Sequence, residues 1–344
     1  MITNKYRLRF CQVCPPSIFQ LFFKKAVTSF ACGLSNGLKL RMKFLLLTLL
    51  LLGTKLLPAT DSTFYFTTSD SVKLYVRVAG SGKPCLFVHG GPGSNAYYYE
   101  AMAGAPVIEQ KLQMIYFDQR GSGRSDSAAN RNYSLIRMLQ DMDELRQHFR
   151  IQIWAVMGHS FGGILITNYA LQYSKHVSAL LYINATVNMQ ASMQSHVDFG
   201  KRELGLQDNK ELNDESKPLM QRVSIVHNLL SEKDSWYKLM YCNAAEKKFN
   251  DSVTLAAGRF NRDFATQCWN VADYWKDYSP QTAAIKCPVL VMTGDTDYAV
   301  GVNHYKSFRF PNQTIVHYPG GHAPFQEEPQ WYADKILAFA AMLK

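Results

Sequence analysis

The stretch "AVMGHSFGGI", residues 155–164, decides the reading of this 344-residue chain. An apolar run, "IQIWAVMG" (151–158), stops at Gly158-His159-Ser160-Phe161-Gly162-Gly163, and "ILITNYALQYS" (164–174) continues with helical spacing. A strand that becomes a helix through Gly-x-Ser-x-Gly has to turn sharply. Glycines permit that turn, because Cβ atoms there would collide with the neighbouring strand and helix. The turn exposes the Ser160 hydroxyl at the carboxyl end of a sheet. An ordinary strand-to-helix turn is the bland alternative, and the companion motifs elsewhere in the chain count against it.

Working outward, strands and helices alternate. "TFYFTTSDSVKLYVRVAGSG" (63–82) reads as an antiparallel hairpin about a Ser-Asp-Ser turn. "PCLFVHG" (84–90) and "LQMIYFD" (112–118) are continuous apolar runs, as expected of strands covered on both faces. Leu135, Met138, Leu139, Met142 and Leu145 recur at helical spacing between Ser134 and Phe149. Beyond the central stretch come the strands "VSALLYINAT" (177–186), "CPVLVMTGDTD" (287–297) and "QTIVHYPGGH" (313–322). The helix "PQWYADKILAFAAML" (329–343) closes the chain. This order predicts an α/β fold, a mainly parallel sheet with helices on both faces. Residues 187–279 differ in texture, being polar and aromatic with helical apolar spacing. A segment that long does not stay structureless inside a domain, so it is expected to form a helical cap on a catalytic domain of residues 61–186 and 280–344.

A serine hydroxyl attacks only when a base takes its proton, and a carboxylate must orient that base. In this architecture the partners follow as acid, then histidine, in loops after later strands. The acid is expected after "PVLVMTG", where both Asp295 and Asp297 stand, and spacing does not separate them. The base is expected to be His322, after Gly320 and Gly321. His317 falls inside a strand, and His159 at the elbow is placed to pack beside the nucleophile. An oxyanion needs preorganised N–H donors. Phe161, directly after Ser160, should supply one, and Gly91 in "HGGPG" (89–93) the other.

The net charge of +10 is concentrated at one end. Residues 1–60 hold nine Lys and Arg and no Asp or Glu, which leaves 28 basic against 27 acidic residues beyond them. That balance argues against a nucleic-acid-binding face. Lys39, Arg41 and Lys43 precede the apolar run Phe44–Leu52, with Gly53 and small residues near Ala59 following. This is the order of a secretory signal over residues 42–60, read as starting at Met42 with residues 1–41 an upstream extension. The run is about half the ~20 residues that span a bilayer, so no stable membrane anchor is expected. Export would expose Cys85, Cys242, Cys268 and Cys287 to an oxidising compartment that permits disulfides. Four sequons, at Asn132, Asn184, Asn250 and Asn312, would matter only in a eukaryotic secretory pathway. Outside the leader no Cys or His spacing suits zinc, so neither metal nor cofactor is expected.

Taken together, "HGGPG", "FDQRGSGRSD" (117–126), "GHSFGG", "GDTD" and "GGHAPFQEEP" resemble the α/β-hydrolase superfamily, in particular its proline iminopeptidase branch. The resemblance covers residues 63–186 and 280–344. It implies Asp297 as the catalytic acid, with Asp295 the fallback, and His322 as the base. It further implies a small peptide substrate whose free amino terminus is held by a cap carboxylate, because a buried ammonium requires a paired charge. Glu203, Glu211, Glu215, Glu232 and Glu246 are the cap's glutamates, and no motif selects one. Trp236, Tyr237, Trp269, Tyr274 and Trp275 are candidates to line a pocket for a proline ring. An esterase, lipase-like or carbon–carbon bond hydrolase with the same triad is the alternative, and a non-catalytic binding protein on this scaffold a third.

Overall fold

In the computed structural model, which describes residues 60–343, the strands form one eight-stranded sheet. They are β1 (Thr60–Thr67), β2 (Lys73–Gly80), β3 (Lys83–Val88), β4 (Leu112–Phe117), β5 (Trp154–His159), β6 (Val177–Ile183), β7 (Val289–Gly294) and β8 (Gln313–Tyr318). Their order across the sheet is β1-β2-β4-β3-β5-β6-β7-β8. The hairpin β1–β2 is antiparallel and joins the sheet antiparallel to β4, and from β4 to β8 every pairing is parallel. The upstream extension and nearly all of the expected signal lie outside the described residues.

The period-two pattern sorts the core onto two faces. Leu86 and Val88, Ile115 and Phe117, Val156, Leu180, Tyr182 and Val291 point to one side. They meet helix α1 (Leu135–His148) and helix α2 (Gly162–Gln172) there. Cys85 and Phe87, Met114 and Tyr116, Met157, Leu181 and Met292 point to the other and pack on Tyr332, Ile336 and Phe339 of the closing helix. Covering both faces is why these strands read as unbroken apolar runs. The five apolar positions that predicted α1 are all buried.

Between β6 and β7 the chain runs through α3 (Met189–Glu203), α4 (Leu219–Glu232), α5 (Ala244–Ala256) and shorter turns, contributing no strand to the sheet. Phe199, Leu212, Val226, Leu230 and Leu239 form its own small core. The closing helix, α6, spans Pro329–Met342.

The topology fixes where chemistry can occur. From β3 the chain crosses to β4 on one side, then returns past β3 to build β5, β6, β7 and β8 on the other. The crevice beyond the carboxyl ends of β3 and β5 is therefore a topological switch point, where open α/β sheets bind their ligands.

Candidate active site

Strands β3, β5, β6, β7 and β8 lie side by side, and the loop after each one delivers a group to the same place. Ser160 follows β5 with φ +54°, a left-handed backbone uncommon outside glycine. Its N–H donates toward the carbonyls of Ile183 and Asn184 at 3.3 and 3.2 Å, which ties the turn to the end of β6. The following helix comes so close that a Cβ on Gly162 would stand 2.4 Å from the Val88 carbonyl oxygen, inside any real contact. The tight turn at the quoted stretch thus has a steric cause.

His322 and Asp297 are both about 1% exposed and join through Nδ1 and Oδ2 at 2.9 Å. Asp295, the other acid left open by spacing, instead meets His317 at 3.1 Å on the surface. The geometry separates the two acids cleanly. Asp297 Oδ1 also accepts from the N–H groups of Ala299 (3.0 Å) and Val300 (3.3 Å), and Oδ2 accepts from Asn184 Nδ2 at 2.9 Å. Asn184 donates as well to the Gly321 carbonyl at 2.9 Å, so one buried amide holds both Asp297 and the loop of His322. Sequence reading missed this role and saw only a sequon. The available signal was an Asn, a residue tolerant of left-handed backbone, ending the strand beside the elbow; its φ is +45°.

His159 does pack rather than act as a base. Its Nε2 faces the His322 carbonyl at 3.0 Å and must donate, so Nδ1 accepts from the Tyr98 hydroxyl at 2.6 Å. Burial, with His322 nearby, pushes its pKa well below the usual histidine range. Tyr98 in turn accepts from the Gly90 N–H at 2.9 Å. The backbone of the Gly91 loop, the elbow and His322 are therefore linked by one chain of hydrogen bonds.

The loop bearing Gly91 is gripped from the segment after β4. Gln119 donates its N–H to His89 Nε2 (3.0 Å) and its side-chain amide to the His89 carbonyl (2.7 Å). Asp118 accepts from the Ala96 N–H at 2.7 Å, at the loop's other end. Asp118 is itself clamped by Arg124 through two bonds of 2.7 and 3.0 Å, and Arg124 reaches Glu100 at 2.5 Å. This explains physically why "HGGPG" and "DQRGSGRS" belong together. Gly91 sits at φ +125°, open to glycine alone, and its N–H and that of Phe161 donate to no backbone or side chain among the described residues.

Ser160, His322, Gly91 and Phe161 line a cavity of about 680 Å³. Its walls are largely apolar, with Met189, Met193, Val223 and Met240 among them. Trp236 and Trp269 also line it. Of the other candidate aromatics, Tyr274 is buried with its hydroxyl on the Tyr133 carbonyl, and Tyr237 and Trp275 are not among the lining residues. A smaller cavity of about 110 Å³ adjoins Ser160 beside Tyr98, Tyr241, Asn250 and Phe325. Among the described residues, no Asp or Glu lines either cavity. Glu203 pairs with Lys238, Glu211 with Lys217, and Glu215 and Glu232 are exposed. Among the described residues no three His, Cys, Asp or Glu side chains gather as a metal site, and the four described cysteines are free thiols.

A family profile for the alpha/beta hydrolase fold matches residues 83–329. A proline iminopeptidase of Heyndrickxia coagulans is 24% identical over 76% of this chain and 91% of its own. One of Saccharolobus solfataricus is 35% identical over 32% of this chain and 35% of its own. Among solved structures, a proline iminopeptidase-related protein of Thermus thermophilus superposes with a TM-score of 0.69 at 19% identity, over 83% of this chain and 98% of that one. An esterase of Exiguobacterium antarcticum superposes with a TM-score of 0.61 at 17% identity, over 81% and 100%. With this sheet order, elbow and profile match, the chain belongs to the α/β-hydrolase superfamily and is similar to its proline iminopeptidase-like branch.

Proposed function

We propose that the protein is a serine hydrolase working through an acyl-enzyme. Ser160 Oγ attacks the substrate carbonyl while His322 Nε2 takes its proton. Asp297 holds the imidazole with Nδ1–H toward it and stabilises the imidazolium. The N–H groups of Gly91 and Phe161 receive the developing oxyanion. His322 then returns the proton to the leaving group, and water, activated by the same base, releases the acid. The observation that carries this reading is the buried His322–Asp297 pair facing the cavity that Ser160 also lines.

The lining of that cavity favours an uncharged acyl group, in an ester or amide. An ammonium drawn from water into apolar walls without a carboxylate loses far more solvation than it recovers. An aminopeptidase releasing N-terminal proline is the second reading, supported by the names of the relatives and by one carboxylate. Glu246 accepts from Gln326 Nε2 at 2.6 Å, and Gln326 also meets Asn250 of the smaller cavity.

A panel of short-chain esters beside prolyl-arylamide and its N-acetylated form discriminates the two. Ester hydrolysis with equal, low activity on both arylamides supports the first reading. Cleavage of free but not blocked prolyl-arylamide, lost in Glu246→Gln, supports the second. Export belongs to the same proposal: a mature terminus between about Ala59 and Thr63 on expression from Met42 is the expected product.

A further inference from the structure

The wall that α4 presents to the larger cavity carries Met220, Val223, Ser224, His227 and Asn228, one helical face at spacings of three and four. His227 stands in its polar part, beyond Met220 and Val223, and it is not alone. His196 of α3 lines the same cavity, and its Nδ1 stands 2.9 Å from His227 Nε2. The other nitrogen of His196, Nε2, is 2.8 Å from the Ala299 carbonyl, in the loop that carries Asp297.

The hydrogen positions in this pair follow by elimination. A carbonyl oxygen only accepts, so His196 Nε2 must carry a proton. Burial, reinforced by His227, lowers the His196 pKa to about 4, so the ring is neutral near pH 7 and its Nδ1 holds a lone pair. His227 Nε2 therefore donates to it. Burial lowers the His227 pKa as well, so that ring is also neutral and its Nδ1 is left as an acceptor. No protein group among the described residues donates to that nitrogen. Because His227 lines the cavity and is only part-buried, that nitrogen is open to a donor from what fills it.

We propose that His227, oriented by His196, is the hydrogen-bond acceptor by which the cavity selects uncharged acyl groups bearing a hydroxyl or N–H donor. The proposal rests on the reading that Ser160 is acylated in this cavity, and its test separates the two. The first arm compares 4-nitrophenyl esters of straight acyl chains with the same chains hydroxylated at successive carbons. The wild type should prefer one hydroxylated isomer by roughly three- to tenfold in kcat/KM, mainly through KM, the range of one neutral hydrogen bond. That preference should fall to about one in His227→Phe and persist in His227→Gln, which keeps an acceptor. The second arm needs no turnover. The corresponding carboxamides are titrated against Ser160→Ala, with binding read by the fluorescence of Trp236 and Trp269. The hydroxylated amide should bind more tightly, by a similar factor, and only while His227 or Gln stands at that position. Equal treatment of hydroxylated and plain chains at every carbon, or a preference that survives His227→Phe, overturns the proposal. Failure of the hydrolase reading looks different: no ester is cleaved, while the second arm still reports on His227.

Discussion

Asp297 has exchanged water for a complete set of donors: His322, Asn184 and two backbone N–H groups. Asp295, two residues earlier, keeps about half its side chain in solvent beside an equally exposed His317. An exposed pair of that kind contributes little. The two acids therefore predict opposite kinetics. Asp297→Asn places an amide against Nδ1, disfavours the tautomer that lets Nε2 accept a proton, and should cost on the order of 10⁴ in kcat. Asp295→Asn should leave kcat/KM within a factor of about two, as surface substitutions do. Steady-state kinetics on the purified variants checks both, and the reverse pattern would move the acid to Asp295. At this scale Ser160 and His322, the proposed nucleophile and base, could be singled out because each sits in a short motif with its own glycines. The acid was not readable from spacing alone, since both candidates lie past the end of β7, where alternation no longer assigns a face. Asn184 was invisible because its partners, Asp297 and Gly321, are more than a hundred residues away.

At the level of elements, the loop after β3 owes its shape to the segment after β4. Arg124 is the centre of that support: it pairs with Asp118 and Glu100 and stacks over Tyr75 at 3.6 Å from the ring centre. Removing it leaves the buried Asp118 without a cation and Glu100 with Arg77 alone, at 3.8 Å. Arg124→Met should cost about 3–5 kcal/mol of stability, measured by urea denaturation, and lower kcat by releasing the Gly91 loop. Unchanged stability with unchanged kcat would contradict that role. The elbow makes a second prediction. A methyl group on Gly162 has to displace the Val88 backbone, so Gly162→Ala should destabilise by roughly 1–3 kcal/mol although alanine favours helices. A higher melting temperature in that variant would show that the turn has room to spare. The strands and α1 were legible because both patterns, two-residue alternation and helical spacing, report burial directly. The mutual grip of the two loops was not, because it is built from side-chain to backbone bonds that leave no periodic trace.

Across the whole molecule, buried histidines couple stability to pH. Burial pushes both His196 and His304 down to about 4, and holds His159 well below its usual range. In the unfolded chain these rings take up protons near pH 6.5, while the native ones refuse them until much lower pH. Stability is therefore full above about pH 6.5 and falls as pH drops toward 4, by up to about 1.4 kcal/mol per pH unit for each histidine. Urea midpoints at pH 7.5, 6 and 5 should decline in that order, and a flat series would contradict the assignment. The alternation of strands and helices was readable on either side of residues 187–279, whereas the contents of the cavity were not. Its walls come from α3, α4 and several loops, and only their meeting decides which helical face looks inward. The central claim is that Ser160, with His322 and Asp297 behind it, performs the hydrolysis, and active-site labelling tests it most directly. A fluorophosphonate should modify Ser160 alone, identified by peptide mass. Labelling should be nearly absent in His322→Ala, and turnover should fall by a factor on the order of 10³ to 10⁶ in Ser160→Ala. Wild-type turnover in Ser160→Ala, or a label on another residue that accounts for the activity, would contradict the account.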